Sequence, residues 1–100
     1  MYKVVGILKR PAGMPFDEFK KWWLEVHAPK VKKWYGLSEY RINFCTTSDQ
    51  RYDGVAEVWF KNKEDMEAVF DSQNGQVARQ SATSGSSEIV VLLTEEHVIV

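Results

Sequence analysis

The run Val4-Val-Gly-Ile-Leu8 constrains this chain more than any other stretch. It sits in a strand-like segment, Tyr2–Lys9, and lacks the polar alternation of a half-exposed strand. A strand that is apolar on both faces belongs in the middle of a sheet, with cover on each side. The chain is 100 residues long, which predicts one domain over 1–100 and one small core. Helices can cover one face of the sheet, and something else must cover the other.

The later segments supply the sheet. Leu37–Thr47 alternates, with Tyr40, Ile42 and Phe44 on one face and Arg41, Asn43 and Cys45 on the other. A polar turn over 48–52 and the pair Asp53-Gly54 lead into Val55–Lys61. There Ala56, Val58 and Phe60 share one face, and Val55, Glu57 and Trp59 the other. The two segments predict an antiparallel hairpin, and Arg41 opposite Glu57 would make a cross-strand ion pair. Asn62 caps a helix carrying Met66, Val69 and Phe70. Asn74-Gly75 reads as its stop, Gln76–Ala82 as a further helical turn or two, and Thr83–Ser87 as a loop. Glu88–Leu93 is the last strand. The tail holds His97, expected to be exposed or at a dimer contact. It ends Val98-Ile99-Val100, an apolar terminus suited to pairing with a second subunit.

The remaining long stretch, Phe16–Trp34, reads as an amphipathic helix. Pro15 is placed for its first turn, and Asp17 and Glu18 lie near the positive end of its dipole. At helical spacing Phe16, Phe19, Trp23, Val26 and His27 fall within one arc, with Trp22 at its edge. Pro29 removes a backbone hydrogen bond and crowds the preceding turn, so the helix should end or kink near His27. A lone histidine among aromatics is a core residue or a general acid/base. Burial there should keep it neutral near pH 7. Lys30, Lys32 and Lys33 are expected on a solvated face.

The order is β-α-β-β-α-β, the split βαβ or ferredoxin-like arrangement of the α+β class. It predicts a four-stranded antiparallel sheet with both helices on one face. The second face would carry Val55, Trp59 and part of Val4–Leu8, too apolar for water. Two copies packed sheet to sheet, a homodimer, would cover it.

Several function classes are disfavoured. Net charge is −1, so nucleic acid is not the expected partner. No apolar run approaches the ~20 residues of a membrane span. The lone Cys45 cannot form an internal disulfide and fits a reducing compartment, so a cytoplasmic location is expected. No Cys/His cluster suggests a metal, and no glycine-rich motif suggests a nucleotide, so no cofactor is expected.

Five stretches together resemble a known family: V-V-G-I-L-K-R-P-A-G-M, F-K-K-W-W-L-E-V-H-A-P-K-V, G-L-S-E-Y, A-E-V-W-F and T-E-E-H-V-I-V. The pattern is similar to the EthD-like proteins of the dimeric α+β barrel superfamily, distantly including methylmuconolactone methylisomerase. The resemblance implies a pocket between sheet and helices, and a small aromatic, phenolic or lactone substrate. It matches His27 to the isomerase's helix histidine and Tyr40 to a pocket tyrosine, so His27 is expected as acid/base and Tyr40 as a second catalytic residue. By their positions on helix and sheet, Trp23, Ile42, Phe44 and Val58 are expected to shape the pocket. The isomerase has a cysteine where this chain has Val58, and a loop histidine with no counterpart here. The implied function is a cofactor-independent isomerase or lyase. The rivals are a non-catalytic accessory protein of a catabolic pathway, and a barrel monooxygenase or haem-binding protein.

Overall fold

The structure, a computed structural model, describes residues 1–47 and 49–100. The turn expected at 48–52 therefore lies partly outside the described residues. Four strands form one antiparallel sheet: β1 (Tyr2–Lys9), β2 (Leu37–Phe44), β3 (Gly54–Phe60) and β4 (Glu88–Glu95), in the order β2-β3-β1-β4. The fold is ferredoxin-like. The apolar strand β1 is central, as its sequence requires, with β3 on one side and β4 on the other.

Val4 and Leu8 point to the helical face and are buried; Val58 and Phe60 join them from β3. Val4, Phe60, Met66, Val69 and Ala78 build one core cluster, while Leu8, Phe19, Trp23 and Ala82 build a second. By alternation Val5, Ile7, Val55, Val90 and Leu92 lie on the opposite face of the sheet. That face also holds Lys3, whose ammonium meets Glu57 at 2.8 Å and Glu96 at 3.0 Å. Arg41 does lie opposite Glu57, but the expected ion pair between them does not form. Lys3 reaches Glu57 diagonally from β1, and Arg41 instead meets Glu39 at 3.1 Å with its guanidinium over Trp59.

The long helical stretch departs from expectation in an informative way. It starts as an α-helix, α1 (Phe16–Trp22), widens into a π turn over Trp23–His27, and resumes as α2 (Ala28–Val31). It does not end at His27. Pro29 has no N–H and its ring clashes with the carbonyl four residues back in a tight helix. The wider turn, closed by the Ala28 N–H on the Trp23 carbonyl, lets the chain pass Pro29 and continue. The extra residue also changes the buried face. Val26 is not in the apolar arc; it is 47% exposed, whereas His27 and Ala28 are 6% and 8% exposed.

The second helical layer is longer than the sequence suggested. Asn62 caps α3 (Lys63–Asp71) by accepting from the Asp65 N–H at 2.8 Å. Asn74-Gly75 stops nothing. Ser72 ends α3 and, by accepting from the Gly75 N–H at 3.1 Å, caps α4 (Gln73–Gly85). A side chain at 75 would meet the Val69 carbonyl oxygen at 2.2 Å, so this glycine permits two helix ends to touch. The loop expected at 83–87 is also mostly helix, through Gly85. Beyond β4, Val98, Ile99 and Val100 are exposed.

Candidate active site

The π turn and α4 put His27 against Ser81, with Nδ1 3.0 Å from the serine oxygen. The imidazole stacks on Trp22, centroids 5.4 Å apart and planes 15° apart. Trp22 in turn covers Gly85, where a Cβ would lie only 1.9 Å from the indole. Gly85, Trp22 and His27 are thus one stack, and the glycine is what lets the indole sit so low.

His27 forms part of the wall of a cavity of about 50 Å³ between the sheet and α4. Val4, Gly6, Val58 and Val91 form its sheet side, and Ala78, Arg79 and Ala82 its helical side. Trp34 and Phe70 also line it, and so does Tyr40 from β2. The lining is almost wholly apolar. Space of this size holds a few waters, whereas an empty site that accepts benzene needs about 150 Å³. A ring-sized ligand therefore requires side chains to move.

The polar groups here are set far apart in acidity. Burial, with the Lys30 ammonium adding to it, pushes the His27 imidazolium down from 6.5 to about 4. Burial pushes the Tyr40 phenol up from 10.0 to about 12. Both groups stay neutral across the physiological range. Ser81 can accept from Nδ1–H, leaving a lone pair on Nε2, or donate to Nδ1, leaving Nε2–H. A hydroxyl partner permits either form, as a carboxylate would not. The nearby Trp23 indole opposes that rise without reversing it. Among the described residues, the Tyr40 hydroxyl, Trp23 Nε1 and Arg79 Nε are all buried without a partner in hydrogen-bonding geometry.

His27, Tyr40 and Val58 line this cavity together. Trp23, Ile42 and Phe44 belong to the neighbouring cluster, where Trp23 is fully buried edge-on to Phe44 at 5.4 Å. They support the cavity from behind rather than line it. The π turn is the reason: its wider turn takes more residues, so the four-residue step from Trp23 falls short of a full turn and brings His27 onto a different line of the helix. Arg79, Trp34 and Phe70 are lining residues that the sequence reading did not single out. Glu57 lies on the far face with Lys3, and His97 pairs with Glu95 at the exposed end of the chain.

The EthD domain model matches residues 11–83, the span that carries the π turn, His27, Tyr40, Val58 and Arg79. The chain belongs to the EthD family. Among solved structures, this EthD chain is similar to an ethyl tert-butyl ether d (EthD) family protein of Bacillus halodurans. The two share 17% identity at a TM-score of 0.85, covering 97% of this chain and 99% of that one. An Arabidopsis thaliana protein matches at 11% identity and TM-score 0.77, over 100% and 99% of the two chains. A dimeric ferredoxin-like protein of unknown function from Thermobifida fusca matches at 10% identity and TM-score 0.72, over 93% and 88%. At these identities the likeness is one of fold. No curated protein is similar enough in sequence to match.

Proposed function

We propose that this EthD chain is a cofactor-independent enzyme of the isomerase or lyase type, with His27 as acid/base on a small aromatic, phenolic or lactone compound. The observation that carries the reading is a neutral, buried His27 on an apolar cavity, its Nδ1 held by Ser81, beside an unpartnered Tyr40 hydroxyl. The Nε2 lone pair takes a proton from a carbon next to a carbonyl. The C–H electrons move into the new C=C bond and charge gathers on the carbonyl oxygen, to which Tyr40 O–H donates. The imidazolium then returns the proton at another carbon, which is isomerisation, or to a departing oxygen, which is elimination. An imidazolium whose resting acidity is near 4 gives its proton back readily. The negative charge forming on the substrate favours its transient existence.

The test is a panel of lactones and phenolic acids, followed by chromatography, with wild type against His27→Ala. Turnover that disappears in the variant supports the proposal; equal rates remove His27 as acid/base. The same low basicity at rest favours a second reading, an accessory protein of a catabolic pathway that binds without converting. Ligand binding unaffected by His27→Gln, with no product, selects it. Haem is a poor fit, since the macrocycle far exceeds the space beside His27.

A homodimer accompanies this reading. The outer sheet face presents Val5, Ile7, Val55, Val90 and Leu92 to solvent in a single chain, an apolar surface that a second copy would cover. The relative from Thermobifida fusca is dimeric. Cys45 has no disulfide, which fits a reducing compartment such as the cytoplasm.

A further inference from the structure

Arg79 is the one charged residue between Asp71 and Glu88. It lies on α4 between the small buried residues Ala78 and Ala82. No acid stands three or four residues away on its helix, where a stabilising partner would be expected. Among the described residues it makes no salt bridge, and its Nε is buried without a hydrogen bond. A buried N–H of this kind is normally paired, and leaving it unpaired is unfavourable. Its guanidinium stacks on the Phe70 ring at 4.6 Å, a contact that leaves its planar N–H fork unused.

Its position gives that fork a use. Arg79 lines the His27 cavity, and it also lines an outer groove with Gln76, Gln80, Thr83 and Ser84. The side chain therefore stands between cavity and solvent. A cation placed at the rim of an apolar space, with no anion of its own, complements a ligand with an apolar body and an anionic end. The guanidinium fork matches a carboxylate with two parallel hydrogen bonds.

We propose that the ligand of this cavity is an aromatic or alicyclic carboxylate, held by Arg79 at its acid group with its ring directed toward His27 and Tyr40. This rests on the cavity being the functional site and names the class of compound it takes. Swinging Arg79 and Phe70 outward is also the movement that would enlarge the space for a ring. Arg79 is a binding residue in this arrangement; it recognises the acid group, and the proton transfer stays with His27.

The probes are 4-hydroxybenzoate and 4-hydroxybenzamide, which share a ring and a phenol and differ in charge. Calorimetric titration at low ionic strength, with wild type, Arg79→Met and Arg79→Lys, reads the preference. Wild type is expected to bind the carboxylate at least tenfold more tightly than the amide. Arg79→Met should abolish that preference while holding the amide within twofold of wild type, which also reports an intact cavity. If Arg79→Met does not fold, Arg79→Lys decides, since it should keep part of the preference. Equal affinity of wild type for both probes, or a preference that survives Arg79→Met, overturns the assignment to Arg79 and leaves the cavity reading in place. Binding of neither probe removes both.

Discussion

Acidifying the protein should cost it stability through His27, by an amount the structure sets. The imidazole titrates near 6.5 in the unfolded chain and near 4 when folded. Above 6.5 both states are neutral and the group contributes no pH dependence. As pH falls through 6.5, the unfolded chain takes up a proton that the folded protein refuses. Stability then drops by about 1.4 kcal/mol per pH unit until the folded histidine protonates near 4. The difference of 2.5 units, 6.5 minus about 4, amounts to about 3 kcal/mol, of which roughly 2 kcal/mol is gone by pH 5. Urea denaturation of wild type and His27→Gln at several pH values between 7 and 4, at one fixed protein concentration, isolates the effect. The carboxylates titrate alike in both proteins, so the wild type should lose about 3 kcal/mol more than the variant across that range. Parallel pH profiles would mean that His27 is not held neutral by burial, and the reasoning would fail.

Three further outcomes follow from the same contacts. Gly85→Ala, a change that usually favours a helix by up to about 1 kcal/mol, should instead destabilise by about 1–3 kcal/mol. The new methyl would lie 1.9 Å from the Trp22 indole; unchanged urea stability would show that Trp22 yields freely. Tyr40→Phe removes a buried hydroxyl that has no partner. It should leave stability within about 1 kcal/mol of wild type or raise it, yet weaken binding of 4-hydroxybenzoate about tenfold, read by calorimetry. Leu92→Glu puts a charge on the open sheet face. Light scattering should show wild type at about twice 11.6 kDa and the variant at 11.6 kDa; a monomeric wild type would sink the dimer.

β2 and β3 were legible in the sequence because their side chains obey a two-residue period, and β1 and β4 because of their apolar, β-branched runs. Tyr40 and Val58 could be placed on the inner face that way, and Glu57 on the outer. His27 was legible as the odd residue of an apolar arc, but its neighbours were not placed correctly. The π turn inserts a residue at Pro29's approach, turns Val26 to solvent and leaves Trp23 behind the cavity. A period of 3.6 cannot anticipate that. Gly75 and Gly85 looked like chain breakers because local propensity knows only flexibility. Both lie within α4, and each is a glycine because something passes close to it, the carbonyl of Val69 and the ring of Trp22. Arg79 does not stand out by motif or periodicity. The signal was present in its isolation between Asp71 and Glu88, but only the cavity shows why isolation matters.

The most direct measurement is a crystal structure of the protein soaked with 4-hydroxybenzoate. The predicted result is a ring packed against Val58 and Ala78, with one oxygen within hydrogen-bonding distance of Tyr40 and of the His27 ring. The acid group should lie on Arg79, with Phe70 displaced outward. A ring bound on the outer sheet face, or a filled cavity whose occupant makes no contact with His27, would contradict the role given to this histidine.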